Sequence, residues 1–128
     1  MRDSVRKAGH RVMVGFHGHE ASADVKKLIR DYGVGSVILF ARNVASPEQV
    51  AELVRELQAE ARAAGHDLPL LVAVDQEGGR VARMRAPWTV WPPLRAVGGR
   101  APRRRRGRWG RRWRRSSTPA ASVWTSRP

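Results

Sequence analysis

Two carboxylates and two guanidiniums fall within a short span of this chain: Asp75, Glu77, Arg80 and Arg83. Asp75 and Glu77 lie two apart, so an extended backbone would put their side chains on one face, about 6–7 Å from each other. Such a pair could divide the work of acid and nucleophile across one bond. Alternatively, a carboxylate there could accept two hydroxyl protons at once through charge-assisted hydrogen bonds and hold a polyhydroxylated ligand. Neighbours on one loop rarely flank a bond from two sides, which favours holding over cutting. Gly78 and Gly79 would allow a backbone turn closed to other residues. Glu77, Arg80 and the upstream Arg42 are expected to brace the loop through ion pairs or similar contacts.

These groups need an element to position them, and one precedes them directly. Residues 70–74 (LLVAV) form an apolar run of the length of a strand buried on both faces. The acids follow where that strand opens into a loop, and parallel α/β folds gather their chemistry on the loops after strand ends.

Upstream, strand and helix alternate. Residues 12–16 read as a first strand ending near Gly18. Ser22, or Asp24, can cap a helix running to about Asp31, with Val25, Leu28 and Ile29 as its buried stripe and Gly33 or Gly35 as its stop. Residues 36–40 (SVILF) read as the second strand. Ser46 at the N-cap, Pro47 at N1 and Gln49 closing a capping box start a second helix, which runs to about Ala64 with Val50, Leu53, Val54 and Leu57 on its apolar face. The order βαβαβ favours a parallel sheet covered by helices.

Two segments carry a family resemblance. Residues 35–43 (GSVILFARN), followed after one helix by residues 69–83 (PLLVAVDQEGGRVAR), resemble the N-terminal part of the family 3 glycoside hydrolases, and among them the bacterial β-N-acetylhexosaminidases. The resemblance covers roughly residues 12–98. It implies an α/β fold consisting of the first three β/α units of a (β/α)8 TIM barrel, incomplete, with residues 1–99 as the partial barrel domain. It implies that Asp75 hydrogen-bonds sugar hydroxyls, that Arg83 also contacts the substrate, and that Glu77, Gly78, Gly79 and Arg80 support the loop. The family's nucleophilic Asp and its His acid/base lie further along, and nothing in this chain corresponds to them. The expected function is therefore that of a fragment of a retaining glycosidase acting on an N-acetylglucosamine-type glycan, as in peptidoglycan recycling, with no metal or organic cofactor and no turnover by this chain.

Other residues offer weaker signals. His17 and His19 could share one side of an extended segment, but no third ligand stands near enough in sequence to suggest a metal site. His10 and His66 read as surface residues. Trp88 and Trp91 could stack on a sugar face or simply pack against the barrel. No phosphate-binding glycine motif is present, so a nucleotide cofactor has no support. Cysteine is absent, which excludes disulfides. The basic start contains no apolar stretch of the length a signal peptide or membrane span needs, so a cytoplasmic location is expected.

Charge separates the tail from the rest. The chain of 128 residues carries a net charge of +14, but residues 101–128 hold 10 Arg and no acid, leaving the first hundred at +4. A cationic segment with interleaved Trp could bind single-stranded nucleic acid, the alternative function for this chain. A different explanation fits the tail better, and under it no specific nucleic-acid partner is expected. Residues 101–128 use only Ala, Pro, Arg, Gly, Trp, Ser, Thr and Val, all of which have G- or C-rich codons. With mostly G in third codon positions, the shifted reading frame beneath residues 116–128 can spell VDAGGVGLDFAP, which resembles the family's fourth strand. Upstream, the same frame can place Leu or Val at helical spacing. Residues 100–128 are therefore expected to be an out-of-frame, disordered tail.

Overall fold

The computed structural model describes residues 2–93, 95–96 and 123–125. Its elements are α1 (Arg2–Gly9), β1 (Met13–Val14), α2 (Ala23–Tyr32), β2 (Ser36–Leu39), a 3-10 turn (Ala41–Asn43), α3 (Pro47–Ala63), β3 (Leu71–Val74), β4 (Gln76–Gly78), β5 (Val81–Ala82) and β6 (Val123–Thr125).

Both principal helices begin and end where side-chain chemistry dictates. Ser22 Oγ accepts the Val25 N–H at the start of α2, and Gly33, with φ of 69°, closes it. Ser46 Oγ accepts the Gln49 N–H at the start of α3, with Pro47 in the first turn. The capping box is shifted by one residue from expectation: Gln49 Oε1 accepts from Ala45 N–H, at 2.9 Å, not from Ser46. The Gln49 amide also donates to the carbonyls of His19 and Asn43, so it ties two loops as well as one helix end.

The strands form a parallel sheet in the order β1-β2-β3-β6, with Val14 beside Val37 and Val37 beside Val72. The apolar stripe of α2 (Val25, Ile29) and that of α3 (Val50, Leu53, Val54, Leu57) bury Val37, Leu39 and Val72 on one face. Along β2 and β3 the alternate positions are less covered, since Ser36, Ile38 and Ala73 are half-buried and Leu71 is exposed. That alternation assigns one face to the helices and leaves the opposite, inner face less covered.

Three strands come out shorter than the hydrophobic runs suggest. Phe16 leaves β1 because its carbonyl is taken by side chains of the next loop, Phe40 leaves β2 because its N–H is bound by Asn43, and Leu70 precedes β3 with its N–H and C=O both held by the Gln58 amide.

Helix α1 is an addition that hydrophobic periodicity did not suggest. Its Arg6 guanidinium donates to the Arg30 carbonyl at 2.8 Å and to the Ala64 carbonyl at 2.7 Å, reaching the C-terminal ends of α2 and α3 together. Those ends carry unpaired carbonyls and partial negative charge, so a cation there is favourable. On the other side, Glu56 of α3 accepts the Ala21 N–H at 3.0 Å and pairs with Lys26 Nζ at 2.6 Å. The Lys26 ammonium, and then the Ala21 N–H, hold the Glu56 carboxyl below its ordinary range.

Beyond β3 the chain forms a small antiparallel ribbon, β4 with β5, in place of the simple loop anticipated after residue 74. A fourth parallel strand, β6, lies beside β3 with Val123 opposite Val72. A tail disordered throughout therefore does not describe Val123–Thr125, whose backbone pairs with the β3 edge that would otherwise be open. The rest of the tail expectation falls outside the described residues. Among the described residues, no helix is long and apolar enough to cross a membrane.

Candidate functional site

The C-terminal ends of β1, β2 and β3 lie side by side in the parallel sheet, and two side chains just after β2 lock the exits of β1 and β2 together. Asn43 is fully buried; its Oδ1 accepts the Phe40 N–H at 3.0 Å while its Nδ2 donates to the carbonyls of Phe16 (3.1 Å) and Gly18 (2.8 Å). Arg42 Nε donates to the same Phe16 carbonyl at 2.9 Å, and its guanidinium lies 4.6 Å from the Phe40 ring centroid. Arg42 thus braces the loop after β1, with backbone and ring as its partners. The exit of the first strand is fixed by the exit of the second.

Asp75 sits one residue past the Leu39–Val74 pair that ends the β2–β3 ladder. Its parity along the chain matches Leu71 and Ala73, which places it on the inner face of the sheet at the mouth. It is half-buried, and among the described residues its carboxylate has no hydrogen-bond or ion-pair partner.

The next residue, Gln76, is buried and organises the ribbon that follows. Its Oε1 accepts the backbone N–H of Arg83 at 2.8 Å and of Met84 at 3.1 Å, while its Nε2 donates to the Met84 carbonyl at 2.9 Å. An amide that both donates and accepts can bind a facing strand at two points at once. Asp75 and Arg83, eight residues and one turn apart on either side of the ribbon, are spaced by this contact. Arg83 is half-buried, and its Nε is enclosed without a hydrogen-bond partner.

The turn of the ribbon depends on its glycines. Gly78 and Gly79 have φ of 84° and 61°, and a Cβ on Gly78 would stand 2.5 Å from the Pro92 carbonyl oxygen. Segment 91–93 therefore rests against the diglycine, with Gly79 N–H donating to the Trp91 carbonyl at 3.3 Å. Trp91 is buried and Trp88 packs partly against the core. Trp91 thus packs in full, while Trp88 keeps part of its ring exposed.

The expected ion pairs of Glu77 and Arg80 do not form among the described residues. Both side chains are exposed, because the ribbon buries Gln76 and Gly78 and turns the residue between them outward. Asp75 and Glu77 accordingly differ in exposure, with the site acid half-covered and its neighbour in solvent. His17 and His19 are exposed beyond β1, and no group of three or more His, Asp or Glu able to hold a metal exists among the described residues. His66 departs from its surface expectation: it is half-buried at the opposite end of the sheet, its ring centroid 4.8 Å from that of His10 and its Nε2 3.1 Å from the Ile29 carbonyl oxygen.

The residues that hold this site together, Asn43 and Gln76, carry no charge and gave little signal in sequence. Their one clue was an amide placed directly at the end of an apolar strand run, where buried polar groups must find partners.

Comparisons with known proteins extend these observations. The profile of the glycosyl hydrolase family 3 N terminal domain matches residues 5–105. A β-hexosaminidase of Idiomarina loihiensis is 44% identical over 84 residues, which cover 66% of this chain and 24% of that protein. The structure of a glycoside hydrolase family 3 β-N-acetylglucosaminidase from Paenibacillus sp. str. FPU-7 is 48% identical and superimposes with a TM-score of 0.69, over 73% of this chain and 18% of that one. NagZ from Neisseria gonorrhoeae in complex with N-trifluoroacetyl-D-glucosamine is 32% identical with a TM-score of 0.60, over 69% and 24% of the respective chains. The chain thus spans about a quarter or less of the length of these relatives.

Proposed function

Because the chain belongs to the family of glycosyl hydrolase family 3 N-terminal domains, we propose that it is the opening part of a retaining β-N-acetylhexosaminidase barrel, and that its role in that barrel is to grip the sugar. The observation that carries this reading is the position of Asp75: at the mouth of a parallel sheet, on its inner face, half-covered and without a protein partner among the described residues. A carboxylate so placed accepts two hydroxyl protons of a pyranose ring. Arg83, spaced from it by Gln76, supplies donors to the same ligand.

The ligand in this reading is a terminal N-acetylglucosamine-type residue of a glycan such as peptidoglycan, and the reaction of the whole enzyme is hydrolysis with retention through a covalent glycosyl intermediate, carried out in the cytoplasm. This chain contributes substrate contacts and not the nucleophile or the acid/base, so it binds without turnover. Release of nitrophenol from p-nitrophenyl N-acetylglucosaminide by the purified 128-residue chain would overturn that part of the reading; no release is expected.

Residues 100–128 belong, in this reading, to a displaced reading frame. The composition supports this: residues 101–128 hold 10 Arg and no acid, unlike the first hundred, and the family match ends at residue 105 within that segment. The nucleotide sequence of the locus tests it directly. A family-like helix and strand in the neighbouring frame are expected, and a frame without such a continuation would remove the proposal.

A further inference from the structure

His10 and His66 lie at the end of the sheet opposite Asp75, and neither takes part in the sugar reading. His10 directly follows α1 and His66 stands between α3 and β3, yet their ring centroids are 4.8 Å apart, with the ring planes inclined at 58°. The backbone fixes both residues. His66 N–H donates to the Ala61 carbonyl at 3.0 Å across Gly65, whose φ is 75°, so His66 belongs to the cap that ends α3. His10 N–H donates to the Arg6 carbonyl at 3.1 Å, and the chain there runs so close to the start of β2 that a Cβ on Gly35 would stand 2.8 Å from the His10 carbonyl oxygen.

The surroundings of His66 also select its tautomer. Nε2 is 3.1 Å from the Ile29 carbonyl oxygen, which can only accept, so in the neutral ring Nε2 carries the proton and Nδ1 is a bare lone pair. That Nδ1 is buried without a hydrogen-bond partner among the described residues. The His10 ring likewise makes no hydrogen bond among them. A ring with one N–H held by a backbone carbonyl and the other nitrogen bare is the form in which histidine ligates a metal.

We propose that His10 and His66 form a two-imidazole site for a divalent transition-metal ion such as Zn2+. A metal about 2.0–2.1 Å from each ligating nitrogen stands about 3.2 Å from each ring centroid, so centroids 4.8 Å apart correspond to an N–metal–N angle of about 100°, close to tetrahedral. Water fills the other positions, because no third His, Asp or Glu completes the set among the described residues. The C-terminal ends of α2 and α3 meet here, and their partial negative charge favours a cation as it favours the Arg6 guanidinium. The ion is structural: it pins the end of α1 to the end of α3, away from the sugar site, and does not depend on the role given to Asp75.

The test is a Zn2+ titration of the 128-residue chain at pH 7.5, followed through the ring nitrogen resonances of its four histidines. Before metal is added, the His66 ring should carry its proton on Nε2. Saturable one-to-one shifts of His66 Nδ1 and of the His10 ring are expected, in the micromolar range, with affinity lowered at least tenfold in His10→Ala and in His66→Gln. Replacing His17 and His19 together with Ala should leave that affinity unchanged. Should His66→Gln fail to fold, His10→Ala decides, since His10 is exposed. Binding confined to His17 and His19, a neutral His66 ring protonated on Nδ1, or undiminished affinity in His10→Ala would each overturn the proposal.

Discussion

Gln76 Oε1 accepts the backbone N–H of Arg83 at 2.8 Å, so the side chain next to one proposed sugar contact fixes the main chain of the other. The distance between Asp75 and Arg83 is thereby set by a buried amide and not by a direct interaction between the two. Replacing Gln76 with Leu keeps the volume and removes three hydrogen bonds, leaving the N–H groups of Arg83 and Met84 and the Met84 carbonyl without that partner. Each buried polar group left unpaired costs about 1–3 kcal/mol. We expect the amides of Arg83 and Met84 to lose hydrogen-exchange protection in Gln76→Leu while those of α3 keep theirs. Equal loss in both regions would mean that Gln76 supports the whole fold and not the ribbon alone.

Asn43 plays the corresponding part for β1 and β2. Its amide satisfies the Phe40 N–H and the carbonyls of Phe16 and Gly18 with no access to water. Asn43→Leu should destabilise the chain by about 2–4 kcal/mol, more than a typical substitution, measured as a fall in the denaturant midpoint at unchanged slope. Asn43→Asp should retain the Phe40 bond but lose both donated bonds. An intermediate loss is expected, and a loss below about 0.5 kcal/mol in Asn43→Leu would contradict the assignment.

These two amides also show what was legible beforehand. The parallel order of strands, the register of α2 and α3 and the caps at Ser22 and Ser46 follow from apolar spacing and local side-chain chemistry, and they were visible in the sequence. The strand ends were not, because Phe16 and Phe40 are drawn out of the ladder by contacts with Arg42 and Asn43 that span up to 27 residues. The ribbon β4–β5 was missed for a similar reason: one Gln between two acids looks like part of a polar loop until the backbone folds back to meet it. Helix α1 has little apolar periodicity, and what anchors it is one guanidinium reaching two helix ends.

The pairing of Glu56 has a pH signature. Its carboxyl is held below the ordinary value of 4.5 by Lys26 and by the Ala21 N–H. A depressed carboxyl contributes stability that is fully present above its unfolded pKa and is lost as pH falls through the lower folded value. The denaturant midpoint should therefore fall on acidification below about pH 4.5, and Glu56→Gln should flatten that part of the profile. The pair is partly exposed, so its effect is the small one of a surface ion pair and should shrink in high salt. An acid limb identical in Glu56→Gln would assign the pH dependence to other groups.

The most direct test of the central claim is the binding of N-acetylglucosamine to the 128-residue chain, followed residue by residue through backbone amide resonances. Saturable shifts confined to residues 75–84 and the neighbouring β2 exit are expected, in the millimolar range, with affinity reduced about tenfold or more in Asp75→Asn, since a charge-assisted hydrogen bond contributes about 1.5–3 kcal/mol. Shifts elsewhere on the chain, or shifts of the same size and affinity in Asp75→Asn, would contradict the assignment of this carboxylate to the sugar.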